Sequence, residues 1–229
     1  MTQTRRFIAP LLCRVAGVAA GFITLVAIAL PAQATVPKRK PAPPPQTCLE
    51  HILAAEQELA LPSGMLLSVA LSESGRNGTP ANYALNIHGR AHFPANEREA
   101  ARLLRDDQGR LRRNVFAGCM QLSVQHHQAA FRPVERIMNP GENVRYAANY
   151  LIRLKRETGS WAGALARYNG GQGAKRNAYV CRIQNQMTAL GSPDAGQVMS
   201  ANCRPTDQGV EVAPKTRRAY RLAAGLPLS

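Results

Sequence analysis

Ala70-Leu71-Ser72-Glu73-Ser74-Gly75-Arg76 is the stretch whose reading decides the fold. Working back from it, Met65, Leu66, Val69 and Ala70 recur at three- and four-residue intervals, which predicts a core-facing helix from about Ser63 into Glu73. Gly75 offers a left-handed stop for that helix. A carboxyl in a last helical turn lies near the negative pole of the helix dipole, and apolar neighbours also disfavour its ionised form. Both effects raise its pKa, which suits a general acid working near neutral pH. By itself, a Glu at a helix end is more often an ordinary solvated residue, so the context must come from the rest of the chain.

Upstream, residues 1–34 begin with Arg5 and Arg6, continue through the apolar run Val15 to Leu30 and close on Ala32-Gln33-Ala34. Charged head, apolar middle and small-residue site predict a signal peptide cleaved after Ala34, and hence an exported, periplasmic protein. Arg14 and Pro10 interrupt the alternative, a longer membrane anchor. Arg5, Arg6 and Arg14 leave with the segment and no acid goes with them, so the net charge falls from +15 to +12. A balance this basic favours an anionic partner, and for an exported chain the acidic cell wall is met first. The basic residues are not interleaved with aromatics, and nucleic acid is not expected.

Residues 35–46 form a basic, proline-rich linker that cannot pack a core. The folded domain is predicted to span 47–187. Thr47 with Glu50 reads as a capping box for a helix whose buried stripe is Leu49, Ile52, Leu53, Ala55 and Leu59. Leu61 to Gly64 turns into the helix carrying Glu73. Tyr83 to Phe93 alternates around His88-Gly89, which predicts a small hairpin. Asn96 caps a helix over Glu97 to Arg105 that ends in the turn Asp106 to Gly109. Asn139-Pro140 opens a long helix with inner face Val144, Ala147, Ala148, Leu151 and Leu154. Ser160 starts another, which stops at Gly170-Gly171, and a last helix runs from about Asn177. Residues 188–229, rich in Gly, Pro and polar side chains, read as a loosely ordered C-terminal tail.

Four cysteines remain after removal of Cys13: Cys48, Cys119, Cys181 and Cys203. In an exported chain without a C-x-x-C pair they predict disulfides, with three possible pairings. If the first two helices fold back as a hairpin, Cys48 returns to the Glu73 end where Cys119 is expected. Cys48 with Cys119 and Cys181 with Cys203 is therefore the preferred arrangement. His88 with His92, and His126 with His127, are set at spacings that chelate poorly, so neither a metal nor a cofactor is expected.

Two further stretches suit carbohydrate. In Gly118-Cys119-Met120-Gln121, Gly118 permits close backbone approach, Met120 gives an adaptable apolar contact, and Gln121 donates and accepts hydrogen bonds. The alternative for this stretch is an ordinary strand-to-helix junction. Arg167-Tyr168-Asn169-Gly170-Gly171 displays a stacking ring and an amide at a glycine break, a pairing that fits sugar CH faces and hydroxyls.

Taken in order, Glu73-Ser74, Gly118-Cys119-Met120-Gln121, Asn139 with Asn143 and Tyr146, and Arg167-Tyr168-Asn169-Gly170-Gly171 resemble the soluble lytic transglycosylase domain over roughly residues 47 to 187. The resemblance implies a mainly α, goose-type-lysozyme-like helical domain with a small β-hairpin. It implies Glu73 as catalytic acid and base, Met120, Gln121, Tyr168 and Asn169 as cleft residues, and Tyr179 as a later supporting tyrosine. Departures are Cys119 where the family has an aliphatic residue, Arg167 beside Ala166, an insertion over 77–117, and no clear counterpart of a serine near the acid, for which Asn86 is the candidate stand-in. The implied substrate is peptidoglycan, cleaved between N-acetylmuramic acid and N-acetylglucosamine to leave 1,6-anhydromuramoyl ends, in some members in the service of a secretion or conjugation apparatus. A hydrolytic muramidase and a non-catalytic wall-binding assembly module are the alternatives.

Overall fold

The computed structural model describes residues 47–199, 203 and 211–228, all of them within one compact unit spanning Pro44–Ser229. The predicted signal peptide and linker lie outside the described residues.

The local start signals hold. Thr47 and Glu50 form the capping box of α1, Cys48–Glu58, which buries Cys48, Ile52 and Ala55. Asn96 accepts from the Glu99 N–H to cap α3, Glu97–Leu103. Asn139 caps α5, Pro140–Thr158, with Pro140 in its first turn, and Ser160 accepts from the Gly163 N–H at the start of α6, Trp161–Asn169.

Helix α2, Met65–Ser74, has no cap of its own, because Gly64 stands at its N-cap with φ +78°. The cap comes from α1. Glu56 accepts the Gly64 and Leu67 N–H groups at 2.9 and 3.0 Å, satisfying donors that every helix start leaves open. Burial pushes the Glu56 carboxyl up to about 7 against the pull of those amides. At the other end, Gly75 is not left-handed: φ is −57° and ψ 126°. A Cβ there would lie 2.2 Å from the Leu71 carbonyl oxygen. Glycine is needed for close approach, as the chain leaves the helix straight into β1, Gly75–Arg76, paired with β2, Thr79–Pro80.

The expected hairpin is β3, Leu85–Ile87, with β4, Arg90–His92, and its two turn residues both have positive φ, as a type I′ turn requires. It belongs to a larger sheet. β5, Val115–Ala117, pairs with β3, and β6, Leu122–Ser123, pairs with β5, giving the order β4-β3-β5-β6. Gly118 to Gln121 is thus the loop of a second hairpin, followed by the short α4, Val124–His127. Strands of two or three residues are too short to show a period in sequence. The register puts Leu85, Ala117 and Leu122 on the buried face, and Ala91, Asn86, Phe116 and Ser123 in a row on the other.

The last helix of the predicted set, α7, spans Gly173–Leu190 and starts four residues before the expected Asn177. Its buried face begins at Tyr179 and packs against α2 and α6, while the first turn before it is exposed. Two disulfides, Cys48–Cys119 and Cys181–Cys203, are those expected.

The tail is where expectation and structure part. Val198 is buried in a 3-10 turn, and residues 211–228 carry α8, Pro214–Ala223, packed on α1 and α7. Tyr220 is 1% exposed, its hydroxyl 3.0 Å from Ser63 Oγ. Thr216 bonds Thr79, and the Ala213 N–H donates to the Gly78 carbonyl. A composition rich in polar residues hid two buried anchors, Thr216 and Tyr220, one turn apart. The rest of the expected tail, 200–202, 204–210 and 229, lies outside the described residues.

Candidate active site

Glu73 sits half-buried in the last turn of α2. The Tyr179 hydroxyl, from the facing side of α7, donates to Glu73 Oε1 at 2.7 Å. Burial pushes the Glu73 carboxyl above the ordinary carboxylate range, against the Tyr179 hydrogen bond and the positive charge of Arg182, which both favour the ionised form. Tyr179 itself is 5% exposed. Burial and the neighbouring Glu73 hold its phenol well above the usual tyrosine value, so it stays a donor across the working pH range. With Oε1 engaged as an acceptor, Oε2 is the oxygen available to carry and deliver a proton.

The residues on either side of Glu73 are fixed to two other segments. Ser72 Oγ donates to Gln186 Oε1 on α7 at 2.9 Å, and Ser74 Oγ donates to the Cys119 carbonyl at 2.8 Å. The second bond leads into the 118–121 loop. Gly118 has φ +76°, and a Cβ there would fall 2.3 Å from Asn143 Nδ2. Asn143, wholly buried on α5, accepts the Met120 N–H at 2.9 Å and donates to the Ala117 and Ile137 carbonyls at 3.0 and 2.9 Å. Tyr168 Oη donates to the Met120 carbonyl at 2.6 Å. Gln121 is a non-glycine residue at φ +48°, held by its own Nε2 on the Gly118 and Ala84 carbonyls. Backbone strain of this kind persists only where the surroundings impose it.

Beside this loop runs a groove of about 650 Å³, walled by Phe116, Gln121, Tyr146, Tyr150, Tyr168 and Asn169 among others. Its floor is an aromatic series: His127 meets Tyr146 and Tyr150 edge-on, and Tyr150 lies 5.8 Å from Tyr168 between ring centroids. The Tyr168 phenol is pushed well above its usual value by burial and by the negative charge of nearby Glu73. Tyr168 therefore joins the groove to the acid.

Of the residues singled out from sequence, Glu73, Tyr168 and Tyr179 come together, with Gln121 and Asn169 on the groove wall. Met120 differs from expectation. Its side chain is wholly buried, and it serves the site through its backbone, as the anchor for Tyr168. Asn86 accepts from the Gly89 N–H and thereby braces the hairpin turn. Sequence reasoning gave no site role to Tyr150, Phe116, His127, Arg153 or Arg182. The four-residue spacing of Tyr146 and Tyr150 on α5 was the available signal for an aromatic floor.

Replacing Tyr179 by Phe gives a first test of this geometry. The lost hydrogen bond favoured the carboxylate, so the Glu73 pKa rises further and the alkaline limb of kcat/KM against pH moves to higher pH. The carboxylate formed during the reaction loses its donor, and kcat falls about tenfold. An unmoved alkaline limb would show that Tyr179 does not act through Glu73.

Comparison with curated proteins and with solved structures found no match. The family model of the transglycosylase SLT domain matches residues 50–185, a span holding Glu73, the 118–121 loop, Tyr168, Asn169 and Tyr179. With an acid, a tyrosine donor and an aromatic groove all inside a match covering more than half its length, the chain belongs to the transglycosylase SLT domain family.

Proposed function

We propose that the protein is a peptidoglycan lytic transglycosylase acting in the periplasm on the bond between N-acetylmuramic acid and N-acetylglucosamine. The observation that carries this reading is a solitary acid. Glu73 is protonated more readily than an ordinary carboxyl, and among the described residues the groups that act on its charge are Tyr179 and Arg182, with no second carboxyl beside them. Glycosidases of the usual kind need a second carboxyl as nucleophile or base. Here one carboxyl serves both steps. Glu73 Oε2 gives its proton to the glycosidic oxygen as the C1–O bond breaks. The resulting carboxylate, steadied by the Tyr179 hydroxyl, then takes the proton of the muramoyl C6 hydroxyl as O6 bonds to C1. Glu73 is thereby restored, and no water is consumed.

Export is supported by the pattern of residues 1–34 and by the two disulfides. Local wall opening for a secretion or conjugation apparatus fits a catalytic domain of this small size. Purified sacculi incubated with the protein test the reaction: muropeptides ending in 1,6-anhydromuramic acid, each lighter by one water than a hydrolysis product, are expected. Reducing ends would assign a hydrolytic muramidase instead, and undegraded sacculi with bound protein a wall-binding module.

A further inference from the structure

The groove carries a charge pattern that the cleavage reaction does not use. Its ionisable lining consists of Arg153, Arg167, His126, His127 and the tyrosines, with no acid among the lining residues. Arg167 is engaged, its Nη1 2.6 Å from Glu157 Oε2. Burial and the positive charges of His126 and Arg153 hold the His127 pKa down, and its Nδ1 lies 3.0 Å from the Tyr146 hydroxyl. Arg153 is different. Its guanidinium lies 4.9 Å above the Tyr150 ring, and among the described residues it has neither a salt bridge nor a hydrogen bond. A guanidinium drawn over the negative face of a ring keeps its fork of N–H donors open where no acceptor engages them. That fork matches a carboxylate in a two-point contact. The ring beneath it is the same Tyr150 that abuts Tyr168, so the open donors stand one aromatic step from the residue that neighbours Glu73.

We propose that Arg153 is a carboxylate receptor in the glycan groove, binding an acidic group carried by the substrate and making charged muroglycan preferred over neutral glycan. This rests on the glycan-cleaving reading and adds to it a specificity determinant. Two sources supply the carboxylate. One is the acidic stem peptide on muramic acid. The other is the lactyl group of muramic acid, which is free only where the peptide has been removed.

The test measures binding without turnover, on Glu73→Gln protein, by calorimetry at low salt. Three probes of equal length are used: a peptide-bearing muroglycan oligomer, the same oligomer stripped by an amidase, and a neutral chito-oligosaccharide. At least one charged oligomer is expected to bind about tenfold more tightly than the neutral one. Adding Arg153→Gln should abolish that advantage and leave neutral binding in place, and Arg153→Lys should restore part of it. A loss confined to the peptide-bearing oligomer assigns the stem carboxylates, a loss confined to the stripped one the lactyl group, and loss on both a site that accepts either. Equal weakening on all three probes would overturn the proposal, reducing Arg153 to a support for the Tyr150 ring, and so would no change on any. Because binding is read, failure of the wild-type protein to make anhydro ends would defeat the proposed reaction without deciding this question.

Discussion

Glu73→Gln is expected to abolish cleavage of sacculi, lowering the rate by about 10³-fold, while wall binding and fold are kept. The amide fills the same space and its oxygen can still accept from Tyr179, but it has no proton to give and cannot take one back. A second signature separates loss of chemistry from loss of structure. Burial raises the Glu73 pKa in the fold above its unfolded value, so what this carboxyl adds to stability is fully present at low pH and is lost as pH rises through the folded pKa. Gln carries no such dependence. The variant should therefore melt higher than the wild type in alkaline buffer, with the gap closing toward pH 4. Sacculi cleaved at near wild-type rate by this variant would remove Glu73 from the chemistry altogether.

The largest effect on stability is expected at Asn143. Replacing it by Ala strands the buried Met120 N–H and the Ala117 and Ile137 carbonyls, and leaves a small void on α5. Each buried polar group left without a partner costs about 1–3 kcal/mol, so a loss of about 3–5 kcal/mol is expected, or roughly 10 °C in Tm. The Cys48–Cys119 disulfide still ties the loop to α1, so a folded protein should be recovered. Its Tyr168 anchor is displaced, and activity should fall with stability. Gly118→Ala approaches the same contact from the other side: its Cβ would fall 2.3 Å from Asn143 Nδ2 on a backbone already at positive φ. A melting temperature within a degree or two of wild type in both variants would show that Asn143 does not hold the loop.

The parts of the fold that were legible are those whose cause is local. Thr47 with Glu50, Asn96, Asn139-Pro140 and Ser160 each mark a helix start because the bonds they make reach only two or three residues along the chain. The His88-Gly89 hairpin is of the same kind. The candidate site was legible to the extent that side-chain chemistry advertises itself, as in Glu73, Tyr168 and Tyr179, which the fold brings together. Where a residue acts through the backbone or over a long sequence separation, nothing nearby announced it. Met120 looked like a sugar contact and is instead a buried carbonyl anchor. Gly75 looked like a left-handed stop and is instead a point of close packing on Leu71.

The sequence by itself determined the capped helix starts and the order of the chemical motifs, and put Glu73 forward as the candidate acid, because periodicity, caps and residue type are properties of short windows. Only the tertiary structure decided what the acid faces. Tyr179 reaches Glu73 across 106 residues of chain, Glu56 caps a helix that lacks its own cap, and Tyr220 closes the far end of the fold. Such contacts depend on how helices pack, and packing follows from burying many side chains at once, which no single stretch encodes.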